Sequence, residues 1–93
     1  MADLLSDDAV ADALAGLPGW ERDGDAIVRT VQLPSFRAAI ATVDAVADAA
    51  EDADHHPDID IRYNKVRLGL VSHDKGGLTE RDMRMAQTID ALS

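Results

Sequence analysis

The sequence predicts an α+β domain: a four-stranded antiparallel sheet covered on one face by two long helices plus a short N-terminal helix, in the order α-β-β-α-β-β-α. Two observations carry this. Two pairs of short strand-like segments each meet at a tight-turn signal, Asp23-Gly24 and Asn64-Lys65, which makes two hairpins. Two long stretches follow capping residues and repeat apolar side chains at helical spacing.

The elements follow in order. Ser6 precedes Asp7-Asp8 and an Ala/Val/Leu stretch to Leu14, a short capped helix with acids at its positive end. Gly16 and Pro18-Gly19 stop it. Trp20 to Arg22 reads as a first short strand. Ala26 to Leu33 reads as a second, with Ile27, Arg29, Val31 and Leu33 alternating against Val28, Thr30 and Gln32. Pro34-Ser35 opens the longest helix. Phe36, Ile40, Val43, Ala47 and Ala50 recur at helical spacing and are expected to face the core. Pro57 disfavours helix just before it, so this helix is expected to end near Asp54. Ile59, Ile61 and Tyr63 alternate with Asp58, Asp60 and Arg62 in a third strand. Val66, Leu68, Leu70 and Ser72 mark one face of a fourth. Asp74 to Gly77 form a loop, and Thr79-Glu80-Arg81-Asp82 matches a capping pattern for a last helix running to about Leu92.

Ninety-three residues make one domain, over 1–93, with one modest core. Trp20, Phe36 and Tyr63 are the only aromatics, so Ala, Val, Ile, Leu and Met must build that core. Small residues fill little volume each, which favours self-association. The formal charge is −9, and Asp supplies 15 of the 18 acids. Such a surface repels phosphate backbones and anionic membranes, arguing against direct nucleic-acid binding and membrane attachment. The acidic bias fits a high-salt setting, where screening weakens self-repulsion. A melting temperature that holds from molar to millimolar salt would count against that reading. There is no Cys, hence no disulfide and no thiolate metal ligand. Met1-Ala2-Asp3-Leu4 lacks a basic region followed by an apolar one, and no run approaches a membrane span, so a cytoplasmic protein is expected.

All three histidines lie between positions 55 and 73. His55 and His56 follow the long helix, and His73 ends the fourth strand. A hairpin turning at Asn64-Lys65 sets position 56 roughly opposite 73, so the three imidazoles are expected to converge at one end of the sheet. Glu51 lies one helical turn before His55, and Asp82 opens the last helix. Imidazole titrates near neutrality and both gives and takes protons, and carboxylates beside it orient the ring. No G-x-S-x-G nucleophile setting and no phosphate-cradling loop accompanies them.

Bland readings stand beside this one. A His-His pair near acids is also a zinc pattern, although adjacent side chains on an extended segment point to opposite faces. Asp82 also serves as the acid of a capping box. Yet Asp82 shares a helical face with Met85, Ala86 and Ile89, and an acid in an apolar stripe needs a partner. Trp20 reads first as a core anchor and second as a ligand contact.

Read together, Glu51-x3-His55-His56-Pro57-x5-Tyr63-x9-His73-x8-Asp82 resembles the signature of the pterin-4a-carbinolamine dehydratases. Gly19-Trp20, Ala26-Ile27 with Arg29, Tyr63-Asn64-Lys65-Val66 and Gly77 to Asp82 are similar as well, so the resemblance runs from about Leu4 to Leu92. Departures are Ile59, where an aromatic is common, and Val31 and Leu33 in the second strand. They bear on pocket walls more than on proton-transfer groups.

The resemblance implies a dehydratase that removes water from a 4a-hydroxytetrahydropterin to give the quinonoid dihydropterin, with no metal or organic cofactor. It implies His55 and His73 as proton-transfer groups, His56 chiefly as a pterin contact, and Glu51 and Asp82 as orienting acids. Pro57 and Trp20 join the candidate set in supporting parts. It also implies a homodimer or homotetramer. Two other readings remain open: a non-catalytic pterin-binding or protein-assembly module, and a dehydratase-like protein of molybdopterin metabolism.

Overall fold

The computed structural model describes residues 3–92. Met1, Ala2 and Ser93, which the expected 1–93 domain and the N-terminal reading include, lie outside the described residues. The elements are α1 (Asp7–Ala15), β1 (Glu21–Asp23), β2 (Ala26–Gln32), α2 (Phe36–Ala53), β3 (Asp58–Arg62), β4 (Lys65–Leu70) and α3 (Glu80–Ala91). The strands form one antiparallel sheet in the order β1-β2-β4-β3. The expected fold class and element order are those observed.

Local chemistry sets the boundaries. Ser6, Ser35 and Thr79 cap the three helices, each hydroxyl accepting from a backbone N–H of the first turn. At the end of α2, Asp54 takes a left-handed conformation (φ 49°), and His55 N–H reaches back to the Ala50 carbonyl at 3.0 Å. That six-to-one bond is a Schellman-type stop, and it delivers His55 right at the helix end. Pro57 then leads into β3. No helix among the described residues is long and apolar enough to cross a membrane.

The core lies between the helices and the inner face of the two central strands. Ile27, Val66, Leu68 and Leu70 point inward and are fully buried, against Val10, Val46, Met85 and Ile89. Burial of such side chains stabilises by roughly 1.5–3 kcal/mol each. Among the described residues no helix covers the sheet's other face.

Three expectations are corrected, on the first strand, the α2 stripe and the second hairpin turn. The exposure of β3 is a further finding, which alternation alone leaves open. The first strand begins at Glu21, because Trp20 N–H bonds the Leu17 carbonyl and belongs to the preceding turn. The buried stripe of α2 is Ala39, Val46 and Ala50, with Val43 packed partly beneath them; Phe36 is half exposed and Ala47 lies outside. Small side chains let α2 lie close on the sheet, and the seam follows them. Ile59, Ile61 and Tyr63 stay exposed, since β3 is an edge strand that the helices do not reach over. The second hairpin turns at Tyr63-Asn64, and Lys65 opens β4 opposite Arg62. Tyr63 takes the positive φ (53°) that such a turn needs. Asn64 is pinned to the end of β2: its carbonyl accepts from Leu33 N–H (2.8 Å), and its Nδ2 donates to the Leu33 carbonyl (2.9 Å).

Candidate active site

The shifted turn changes what faces what. Continuing the Asp58↔Gly69 register outward by three residues sets position 55 against 72, not 56 against 73. Ser72 is the residue that enters the site. It is the polar member of the inward row Val66, Leu68, Leu70, Ser72, and it is buried.

Asp82 is the centre. It is 0% exposed, and three donors surround its carboxylate. His55 Nε2 lies 2.6 Å from Oδ1; Ser72 Oγ donates to Oδ2 at 2.8 Å; Thr79 N–H donates to Oδ2 at 2.9 Å. The Thr79 contact closes the capping box of α3. A carboxylate taken from water needs such a shell of donors. An ionised carboxylate only accepts, so the His55 proton sits on Nε2 and leaves Nδ1 as the ring's other nitrogen. Ser72 spends its proton on Asp82, so the 2.8 Å contact between the two hydroxyls is donated by Thr79. Thr79 Oγ1 in turn accepts from Arg81 N–H at 3.2 Å. A continuous chain of hydrogen bonds therefore runs from the α3 N-terminus to the imidazole of His55.

His56 turns the other way. It is exposed, and its Nε2 pairs with the Glu51 carboxylate on the last turn of α2. The adjacent histidines thus engage different acids on different faces.

The other candidates are placed as follows. Pro57 is half-buried just before β3. His73 is exposed at the start of the turn that Ser72 and Gly77 close by an isolated bridge, so the three imidazoles do not gather into one buried cluster. In the same turn Asp74 accepts from Arg81 Nη2 at 2.6 Å, and that hydrogen bond, with the guanidinium's charge, holds the Asp74 carboxyl below its ordinary value. Trp20 is buried and donates from Nε1 to Asp90 (2.9 Å), which also pairs with Arg29 (2.5 Å). Asp90 is eight residues beyond Asp82, about 12 Å along α3, so Trp20 anchors the opposite end of that helix.

Sequence reasoning missed Ser72 and Thr79 as members of the site. A signal was present: a serine in the inward register of a buried strand needs a partner. Among the described residues no group of three or more His, Asp or Glu side chains is arranged to hold a metal ion.

A small cleft of about 90 Å³ opens beside His55, lined by Ala53, Arg81, Arg84, Met85 and Thr88. A cleft of that size encloses only a few waters, so a larger ligand must extend over its open side.

The fold is that of a small α+β protein whose buried His55–Asp82 pair sits where the end of α2, the segment after β4 and the start of α3 meet. The sequence profile of the Pterin 4 alpha carbinolamine dehydratase family matches residues 3–92. A protein of Nocardia farcinica named "Putative pterin-4-alpha-carbinolamine dehydratase" is 58% identical over 91 residues, 98% of this chain and 96% of its own. A protein of the same name from Thermomicrobium roseum is 52% identical, covering 96% of each chain. A crystal structure titled as a transcriptional coactivator/pterin dehydratase from Brucella melitensis superposes with a TM-score of 0.93 at 33% identity, over 97% of this chain and 98% of that one. A pterin dehydratase-like RuBisCO assembly factor of the alpha-carboxysome shares the fold, with a TM-score of 0.66 at 23% identity over 78% and 84% of the two chains. The chain belongs to the pterin-4-alpha-carbinolamine dehydratase family.

Proposed function

We propose that the protein is a 4a-hydroxytetrahydropterin dehydratase, a hydro-lyase that works by histidine acid–base catalysis. The observation that carries this reading is the buried carboxylate of Asp82 fixing His55 through Nε2. An imidazole held in one orientation and one tautomer is what proton transfer at neutral pH requires.

The elimination breaks the C4a–O bond and the N5–H bond and forms a C4a=N5 double bond. The hydroxyl leaves as water once an acid protonates it, and the N5 proton goes to a base. His55 and His73 are assigned these two transfers, by the family resemblance and by the support that Asp82 gives His55. His56, held by Glu51 at the exposed rim, is assigned to contact the pterin ring. Neither step draws on a redox group or an external nucleophile, consistent with a site made of imidazoles and carboxylates.

The protein is further proposed to act in the cytoplasm as a homodimer or homotetramer. The open edge of β3 and the exposed Phe36, Ile59, Ile61 and Tyr63 support self-association. Light scattering that returns a monomer at micromolar concentration would remove that part.

The decisive test is turnover of a 4a-hydroxytetrahydropterin by the purified protein in high salt, with His55→Ala and His73→Ala beside it. Full activity in both variants sinks the site assignment. A second reading is a binding or assembly module, favoured by the same exposed apolar side chains and by the coactivator part of the Brucella structure's title. Pterin binding without turnover would select it.

A further inference from the structure

The cleft beside His55 carries more positive charge than a neutral pterin ring calls for. Arg81, Arg84, Met85 and Thr88 stand at helical spacing along one stripe of α3, about 10 Å long. This chain has 18 acidic and nine basic residues, and five of the nine cations are paired with acids among the described residues. Arg22, Arg29, Arg62, Arg67 and Arg81 are all in ion pairs. Arg84 is exposed, lines the cleft, and has no ion pair or side-chain hydrogen bond among the described residues. Its backbone carbonyl accepts from the Thr88 hydroxyl at 3.1 Å, which holds that side chain along the same stripe.

Arg81 adds an independent observation. One arm of its guanidinium is tied to Asp74, while its Nε is buried and has no acceptor. A buried donor left unpaired costs stability, so an acceptor supplied from the cleft would be favoured. Two guanidiniums one helical turn apart suit an anion with several oxygens, which planar forks of donors recognise in pairs. Met85, almost wholly buried, adds an apolar patch to the lining that His55 and the two arginines share.

We propose that Arg81 and Arg84 form an anion subsite that receives a phosphate ester on the side chain of the pterin, making phosphorylated pterins the preferred substrate class. The proposal rests on the dehydratase reading above. The ring lies toward His55 and the rim histidine, and its side chain runs along α3 to the two arginines.

The test is steady-state turnover of two 4a-hydroxytetrahydropterins, one with a neutral dihydroxypropyl side chain and one with that side chain phosphorylated. The native protein is expected to show a kcat/KM roughly 10- to 100-fold higher for the phosphorylated compound, carried by KM, the size of one charge-assisted hydrogen bond. Arg84→Gln, on the exposed side of α3, is expected to bring the two values together, and Arg84→Lys to restore part of the gap. Equal values in the native protein overturn the subsite and leave the dehydratase standing. A preference that survives in both Arg84→Gln and Arg81→Gln overturns it as well. No turnover of either compound overturns the dehydratase reading and the subsite with it.

Discussion

His55 and His56 are neighbours in the chain and live under different physics. His55 is 8% exposed and bound to a carboxylate that sees no solvent. His56 is exposed and bound to a carboxylate that is exposed too. In the first pair both partners have given up water, so each depends on the other. In the second, water competes for both groups and salt screens them. The same side-chain chemistry therefore makes a structural commitment at one position and an adjustable contact at the next.

The largest effect is expected from Asp82→Ala. It strands the His55 ring, the Ser72 hydroxyl and the Thr79 N–H, and it removes the capping box of α3. Breaking a buried pair from one side costs about 3–5 kcal/mol. Urea unfolding should show a loss of that size, and turnover should fall with it. Asp82→Asn separates the two roles. An amide keeps part of the capping geometry and gives up the charge, so it should recover stability more than activity.

His55→Ala comes next. Turnover is expected to drop by about 10²–10⁴, the usual worth of one general acid or base. Stability should change less than in Asp82→Ala, because Ser72 and Thr79 still solvate the acid. If His55→Ala instead unfolds the protein while keeping its rate per folded molecule, the ring is a structural plug and the contrast with His56 loses its catalytic half.

The fold and this pair were legible in the sequence to different depths. Hairpin turns, caps and alternation depend on local chemistry, so Ser6, Ser35, Thr79 and the inward row of β4 could be read directly. Asp82 was also legible, as an acid in an apolar helical stripe. What escaped was set by long-range contact. The turn moved by one residue because Asn64 is held by Leu33, a strand away, and that shift put Ser72 where His73 had been expected. The stripe of α2 rotated because a packed helix follows its small side chains, and no local rule ranks Ala39 above Phe36. The exposure of β3 depends on how far the helices reach across the sheet, which spacing along the chain does not encode.

His56→Ala and Glu51→Gln should lie at the other extreme from Asp82. Each is expected to change unfolding free energy by no more than about 0.5 kcal/mol, as for most exposed positions. Their effect should appear in KM, since a group that contacts the ring in ground and transition states alike contributes uniform binding. A fall in kcat with KM unchanged would move His56 into the proton-transfer step and erase the division between the two histidines.

The smallest effect concerns the rim above the cleft. Asp74 is exposed, and its carboxyl is held below its ordinary value chiefly by the hydrogen bond from Arg81. A carboxyl depressed in the folded state binds protons more readily when unfolded. Its contribution is therefore present above the unfolded value and is lost as pH falls through the folded one. At neutral pH Asp74→Asn should melt slightly below the native protein. The gap should close only below the ordinary aspartate range, where the native protein loses the same interaction. Because the pair is exposed, salt should shrink the gap at neutral pH. Salt should leave the Asp82→Ala deficit nearly intact, since no solvent reaches that carboxylate. Equal salt sensitivity in the two variants would mean that the Asp82 site is wetter than its geometry implies.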